Sequence, residues 1–557
     1  MPADAPLPAT PTTPAAPAAK RSWWIPSMLG ITVGLVLLAT TFNIQIKADD
    51  VWWHLKVGEV IVTQHKIPDR NLFSFTAPAE PWLAHEWLSE VVFYLVHRGL
   101  GSIGLIFLGI VLNALACGLV YRLCVRYSGS PFLSSAITLL AALMLLGNFS
   151  LRPYLFGNLF FIATLHALEE PSAGGRLRPA LIFVIFGSWA NFHGSFILGL
   201  ALITIYAAAS LARHLQGPPR PYKDLRGFGL DFLVALTACV FTPHHVFGLI
   251  FPFTYLQNAL SGKATFLTNI SEWQSAGFDT PLGSMITYYL MFCLFAIFGS
   301  GLVPSPVHVG LLVAFGFFAF ATIRNIPLLG IVATPVLARH LPRALSNAWK
   351  LLARLEPLQK ALERVHRSSV SFDRRARWLS IPLLWAVFMA LSVALPTRSP
   401  LSFQKLTGVR ALQDLSPAFY PEGLLEHLAA SGQNRRVFNY FNWGGAFIHR
   451  LYPGTRVFID QRNDCYPMTV FEDYFAVHEL GPDWRTVLDR WRIDAVAYPP
   501  DSALVKMLEQ DPAWRVEYRD GQAVLFARAT PAPAQAQDAA PVSDSPGTPR
   551  PSSPTPD

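Results

Sequence analysis

Long apolar runs separated by short polar loops decide what this chain can become. About eleven runs of roughly 17–25 residues, the length a helix needs to cross a bilayer core, can be marked out. They fall near 28–46, 102–122, 131–147, 154–168, 178–191, 195–212, 229–247, 283–300, 304–322, 325–341 and 379–396. The expected fold class is mainly α: a polytopic membrane helix bundle. Composition agrees, with 52% hydrophobic and 14% charged residues where soluble domains carry about 25% charged. The net charge of +8 does not imply nucleic acid, because the basic residues gather in alternating loops, the pattern that sets membrane topology. Arg122 and Arg126, Arg176 and Arg178, Arg213 to Arg226, and the set from Arg339 to Arg377 all fall on one side of that alternation.

By this parity the N-terminus lies in the cytoplasm and, after an odd number of spans, the C-terminal part lies outside. Lys20 and Arg21 precede the first run, and no small-residue cleavage site follows, which argues for a retained span over a signal peptide. Residues 1–22, rich in Pro, Ala and Thr, and 530–557, rich in Pro, Ser and Ala, cannot bury enough surface to fold and are expected to be disordered tails. Between them the expected division is a transmembrane domain over 23–400, carrying an extracytoplasmic loop at 47–101, and an extracytoplasmic α/β domain over 401–529. Residues 343–377 read as a basic amphipathic helix pair against anionic headgroups.

The same parity sends every out-of-place polar cluster to the outer side. The densest is Asp49-Asp50-Val51-Trp52-Trp53-His54, followed by Pro81-Trp82 and His85-Glu86-Trp87. The others are Arg152-Pro153, Asn191-Phe192-His193-Gly194, Pro243-His244-His245, Ser271-Glu272-Trp273 and Arg324-Asn325-Ile326-Pro327. An ionisable group at mid-bilayer costs about 2.5–3.5 kcal/mol, so these residues are expected to face a shared wet cavity. If Asp50, His54 and Gly58 lie on a helix, their spacing of four puts them on one face.

Together these motifs resemble bacterial multi-span proteins of the GT-C glycosyltransferase superfamily. The order is Asp-Asp-x-Trp-Trp-His-Leu-x-x-Gly at 49–58, Phe73-Ser74-Phe75-Thr76, Pro81-Trp82 with His85-Glu86-Trp87-Leu88, Arg152-Pro153, Trp189-x-Asn191-x-His193-Gly194, Glu272-Trp273 and Arg324-Asn325-x-Pro327. The resemblance covers roughly residues 28–530 and departs from the Asp-Glu form of the protein mannosyltransferases. It implies a bacterial inner (plasma) membrane enzyme of the cell envelope that takes a sugar from a polyprenyl-phosphate donor. The acceptor would be a glycan, lipid or protein, with membrane lipids as further partners. It also implies an acidic active-site residue just after the first span, a role that falls on Asp49 or Asp50.

Inverting transfer needs a carboxylate to take the acceptor's proton and cations to hold the leaving phosphate. Asp50 is the preferred base because it shares a face with His54; Asp49 and Asp50 equally suit the start of a helix. His54 suits a sugar contact, help to a metal ion, or a structural place among aromatics. Arg152 and Arg324 suit phosphate oxygens, or a membrane interface and a pairing with Glu272. Binding roles are also expected for His85, Glu86, Asn191, His193, Glu272 and Asn325. Glu86 and Glu90, four apart, fit a second functional face or a solvated one. No His, Cys and Asp cluster has metal-ligand spacing, and since some superfamily members use a divalent metal ion, the cofactor expectation stands between none and such an ion. Two other classes fit less well: a catalytically inactive assembly or scaffold protein, and a transporter of lipid-linked or polar solutes. The transporter should carry its charges near mid-bilayer in two related halves.

In the C-terminal part, strands are expected at 436–441, 456–460, 495–498, 514–518 and 523–527, and helices near 421–431, 445–452, 467–478, 484–491 and 501–509. Asn442-Trp443-Gly444-Gly445 opens a helix and could offer backbone N–H groups to an anion. Val457 to Arg462 ends in acid, amide and base, suited to a glycan or to a salt-bridged terminus.

Overall fold

The computed structural model describes residues 27–42, 50–78, 80–146, 151–169, 177–215, 223–260, 273–351, 360, 361, 364, 367, 368, 380–394, 420–432 and 434–529. Asp49, Glu272, both tails and most of 343–377 lie outside the described residues.

The helices are α1 (Met28–Phe42), α2 (Val51–Gln64), α3 (Trp87–Ser128), α4 (Pro131–Leu146), α5 (Tyr154–Glu169), α6 (Leu177–Phe192), α7 (Phe196–Leu215), α8 (Lys223–Ala238), α9 (His245–Leu260), α10 (Pro281–Ser300), α11 (Pro306–Ala321), α12 (Ile326–Leu351) and α13 (Ser380–Ala394). Among the described residues three are long and apolar enough to cross a membrane: α3, α7 and α10. Several others are apolar but shorter, including Pro131–Leu145, Leu177–Phe192 and Pro306–Ala321. The run at 229–247 is not one helix: α8 stops at Ala238, and a turn through Pro243 and His244 leads into α9. Proline cannot continue the hydrogen-bond ladder, so a span through 243 was the wrong division.

The long helix α3 is broken at Gly101, whose φ of 65° and ψ of −161° lie outside the helical region. Only glycine adopts that conformation readily, and a side chain there costs about 1–3 kcal/mol. The break separates an amphipathic segment, Trp87 to Leu100, from the apolar span beyond it. Gly101→Ala should therefore lower stability by about 1–3 kcal/mol, read as a lower melting temperature in detergent.

Gly58 seats α2 against that first segment. A Cβ on Gly58 would lie 2.2 Å from the Glu90 carbonyl oxygen and 2.8 Å from Tyr94 Cβ, so the two backbones approach closely only because no side chain intervenes. Trp52, Trp53, His54 and Leu55 are all buried by this packing.

The C-terminal part is a mixed four-stranded sheet, β1 (Val437–Asn439), β2 (Ala495–Tyr498), β3 (Trp514–Arg519) and β4 (Val524–Arg528), in the order β1-β2-β4-β3. The pairing of β1 with β2 is parallel and the other two are antiparallel. Helices α14 (Glu422–Ser431), α15 (Gly444–Leu451), α16 (Met468–His478), α17 (Trp484–Arg490) and α18 (Ala503–Leu508) surround it. The expected strand at 456–460 forms only isolated bridges, Val457 to Val437 and to Ser74. Phe75 N–H donates to Val457 O at 3.1 Å, and Val457 N–H donates to Phe73 O at 3.0 Å. The segment around Phe73 to Phe75 is thus stitched to the sheet's edge. One apolar core runs from α2 and the start of α3 through Phe73 and Trp82 into Phe438, Trp443 and Phe458; a second fills the bundle from the latter part of α3 to α12.

Candidate active site

The site forms where α2 and α3 begin, at the turn before α5, the turn between α6 and α7, and the short turn before α12. Asp50 sits at the N-terminus of α2 but makes no capping bond with its side chain. Its Oδ2 instead lies 2.9 Å from Arg152 Nε, with both side chains largely shielded. The carboxylate is therefore an ion-pair partner and not a helix cap.

Glu86 is ringed by three imidazoles. His193 Nε2 is 3.2 Å from its Oε1, His85 Nε2 is 3.7 Å from the same oxygen, and His54 Nε2 is 3.9 Å from its Oε2. Neighbouring bonds fix two of the tautomers. Ser195 N–H donates to His193 Nδ1 at 3.1 Å, so that nitrogen carries no proton. Trp189 Nε1–H donates to Ser195 Oγ at 3.0 Å, leaving the hydroxyl hydrogen to go to His193 Nδ1 at 2.6 Å. The proton of His193 is on Nε2, aimed at Glu86. His85 Nδ1–H donates to Leu83 O at 3.2 Å, which leaves its Nε2 bare beside Glu86. Burial is the main cause raising the Glu86 carboxyl above its usual range, with the Asp50 charge adding and the His85 and Arg324 charges opposing.

Glu90, expected on a second functional face or a solvated one, is 1% exposed, its Oε1 3.3 Å from His54 Nδ1. Burial pushes His54 down to about 3, so it is neutral at physiological pH. His449, on α15 with its ring centroid 5.7 Å from that of Trp52, is likewise pushed down to about 3, mainly by burial. Such groups give stability that is present above an unfolded pKa near 6.5 and lost as pH falls toward the folded value. Acidification from pH 7 to 4 should thus lower the melting temperature, and His449→Gln should reduce the slope.

A cavity of about 70 Å³ opens beside this ring, lined by Arg152, Tyr154, Trp189, His193, Arg324 and Asn325 among others. The Arg324 guanidinium lies 5.1 Å over the Trp273 ring. Asn325 Nδ2 donates to Thr322 Oγ1 at 2.5 Å. Asn191 is committed to the scaffold: its Oδ1 accepts from Trp87 Nε1 at 2.9 Å, and its Nδ2 donates to Gly187 O and Phe241 O at 2.7 and 2.9 Å. His244 Nε2 meets Ala84 O at 3.1 Å, holding the loop that carries His85.

Two C-terminal expectations change. Gly445 N–H donates to Gln461 Oε1 at 3.0 Å, so that helix start is occupied from within and not open to an anion. Asp460 and Arg462 are fully buried 2.7 Å apart, a structural pair and not a glycan contact. Arg462 Nη2 also donates to Asn71 Oδ1 at 2.9 Å, and its guanidinium lies 4.7 Å from the centroids of both Phe73 and Trp82. The next turn carries Asp464, which Trp82 hydrogen-bonds and which burial pushes up to about 6.

Ser195 and Tyr154 were not singled out from the sequence. Ser195 had one signal, its place two residues after His193 at a tight turn. Tyr154 had none.

The fold is similar to that of solved structures of low sequence identity. Its likeness extends to the archaeal oligosaccharyltransferase AglB from Archaeoglobus fulgidus, solved with an inhibitory peptide and a dolichol-phosphate, at 11% identity over 85% of this chain and 69% of that one with a TM-score of 0.50. The apo form of that enzyme gives 10% identity over the same shares, also at 0.50. A looser likeness, TM-score 0.46 at 15% identity, covers 91% of this chain and 99% of ArnT from Cupriavidus metallidurans bound to undecaprenyl phosphate. No protein-family model and no curated protein sequence matches the chain.

Proposed function

We propose that this protein is a membrane glycosyltransferase that moves a sugar from a polyprenyl-phosphate-type donor to an acceptor outside the cytoplasm. The observation that carries the reading is the pair of arginines on one cavity, Arg152 and Arg324, with a carboxylate, Asp50, already held on one of them. In this reading about eleven spans cross a bacterial inner membrane, the N-terminus is cytoplasmic, and the domain at 401–529 stands outside over the site. AglB, of the same fold, was solved with a dolichol-phosphate, which supports a polyprenyl-phosphate donor here.

The donor phosphate enters between the two guanidinium groups, whose planar forks match its oxygens. Arg152 then turns from Asp50 to the phosphate and leaves the carboxylate free as a base. Asp50 takes the acceptor's proton, the acceptor oxygen bonds to the sugar carbon, and the carbon–phosphate oxygen bond breaks with its electron pair leaving on the phosphate. His193, Asn325, Asn191 and His85 hold the sugar or the walls around it. Asp49 and Glu272 border the same segments and remain candidates for ligand contact. Among the described residues no three His, Cys, Asp or Glu side chains are placed to hold a metal ion, and no step here uses one.

The test is purified protein in proteoliposomes with a polyprenyl-phosphate-linked, labelled hexose or pentose and envelope extract as acceptor. Arg152→Gln and Arg324→Gln should each raise the donor KM by about 10–100-fold, the loss of one charged hydrogen bond of about 1.5–3 kcal/mol. Unchanged donor KM in both variants would refute the phosphate assignment.

A further inference from the structure

Glu90 has no part in the steps above, yet it is 1% exposed and has one oxygen, Oε2, buried without a hydrogen-bond partner. Its other oxygen meets His54 Nδ1 at 3.3 Å, and the far nitrogen of that ring faces Glu86. A neutral imidazole carries one proton, so it can donate to only one of the two carboxyl groups. The other faces a bare ring nitrogen, which favours a protonated carboxyl over a carboxylate there.

Partner counting selects which. Glu86 is the more exposed at 13%, receives the fixed N–H of His193, and feels the Arg324 charge. Glu90 has His54 alone as a hydrogen-bond partner among the described residues. Of the charges that act on it, Arg462 is tied to Asp460, while Glu86 and Asp464 are both acidic. A buried carboxylate with so few donors is far costlier than a neutral carboxyl.

We propose that Glu90 is a positioning residue that carries a proton, donates it to His54 Nδ1, and so turns the N–H of His54 toward Glu86. Two series of contacts then converge on one anion. Glu90 O–H donates to His54 Nδ1, which leaves the Nε2–H of His54 facing Glu86 at 3.9 Å as a favourable dipole and not a hydrogen bond; Trp189 N–H feeds Ser195, whose O–H meets His193, whose Nε2 lies 3.2 Å from Glu86. Glu86 is thereby held as a carboxylate next to the cavity, where it favours positive charge developing on the sugar ring during transfer. This deepens the transferase reading and rests on it only for that last role; the proton placement stands on the hydrogen bonds.

The side-chain amide of glutamine donates where a protonated carboxyl donates, whereas methionine fills the space with no donor. Glu90→Gln should therefore keep kcat within about threefold and leave the pH profile in place. Glu90→Met should lower kcat about 10–100-fold, the scale of a lost orienting partner, with donor KM little changed and the acidic limb of the profile moved. Nitrogen-15 NMR of histidine-labelled protein in nanodiscs gives a second readout that needs no activity: His54 should be protonated on Nε2 in the native and Glu90→Gln chains. Loss of activity in Glu90→Gln as deep as in Glu90→Met, or a native His54 protonated on Nδ1, would overturn the proposal. Absence of transfer by the native chain would instead refute the transferase reading, and the NMR result would still decide this one.

Discussion

Replacing Asp50 by Asn should lower the turnover of sugar transfer by about 10²–10⁴-fold, the range a positioned general base supplies, while leaving the melting temperature within a few degrees. The contrast matters because Asn keeps the size of the side chain and can still accept a hydrogen bond from Arg152, yet takes no proton. If Asp50 served only to brace Arg152, the loss would appear in donor KM and not in kcat. An Asp50→Asn variant with native kcat and a raised KM would move the base elsewhere in the cluster. The measurement is a full kinetic comparison in proteoliposomes, with circular dichroism on the same preparations.

The second large effect is on stability. Asp460→Asn should destabilise the chain by about 3–5 kcal/mol, because it strands a buried guanidinium whose counter-charge is gone. Arg462 is bonded through Nε and Nη2 to Asp460 and through Nη2 to Asn71, between the rings of Phe73 and Trp82. Tyr466 donates to the same carboxylate at 2.5 Å. Removing one charge therefore loosens the sheet, the segment at Asn71 and Phe73, and Trp82 together. Denaturant unfolding should show it, and a double replacement, Asp460→Leu with Arg462→Met, should recover part of the loss, since a buried pair exchanged for apolar side chains often costs little. A single Asp460→Asn change of under 1 kcal/mol would mean that water reaches the pair.

Much of this architecture was readable because local pattern and final structure agree. The alternation in 421–528 gave four of its five strands and all five helices to within a few residues, since each element there is short, capped by turn residues and hydrophobic on one face. Helix α2 was readable from Asp50, His54 and Gly58. What spacing could not show is what packs on a face. Glu86 and Glu90 fit a solvated edge as well as a site until Gly58 brings α2 against the Glu90 carbonyl, which buries Glu90 under His54 and leaves Glu86 only partly exposed. The Asp460 to Arg462 stretch read as a strand end for the same reason: its partners, Asn71 and Trp82, are nearly four hundred residues away in sequence. The turn at 239–244 is a different case, since Pro243 was present as a signal and apolar length was weighed above it.

The central claim is that a lipid-phosphate sugar donor is consumed at the pocket lined by Arg152, His193 and Arg324, with Asp50 paired to Arg152 and Glu86 beside His193. Its most direct test is to reconstitute the purified native chain with a labelled polyprenyl-phosphate sugar and follow the label and the lipid together. The account predicts that label appears in acceptor material in step with release of free polyprenyl phosphate, and that Asp50→Asn and Arg324→Gln slow both equally. Movement of intact donor or of a polar solute across the bilayer, with the sugar still bonded to its lipid, would contradict it.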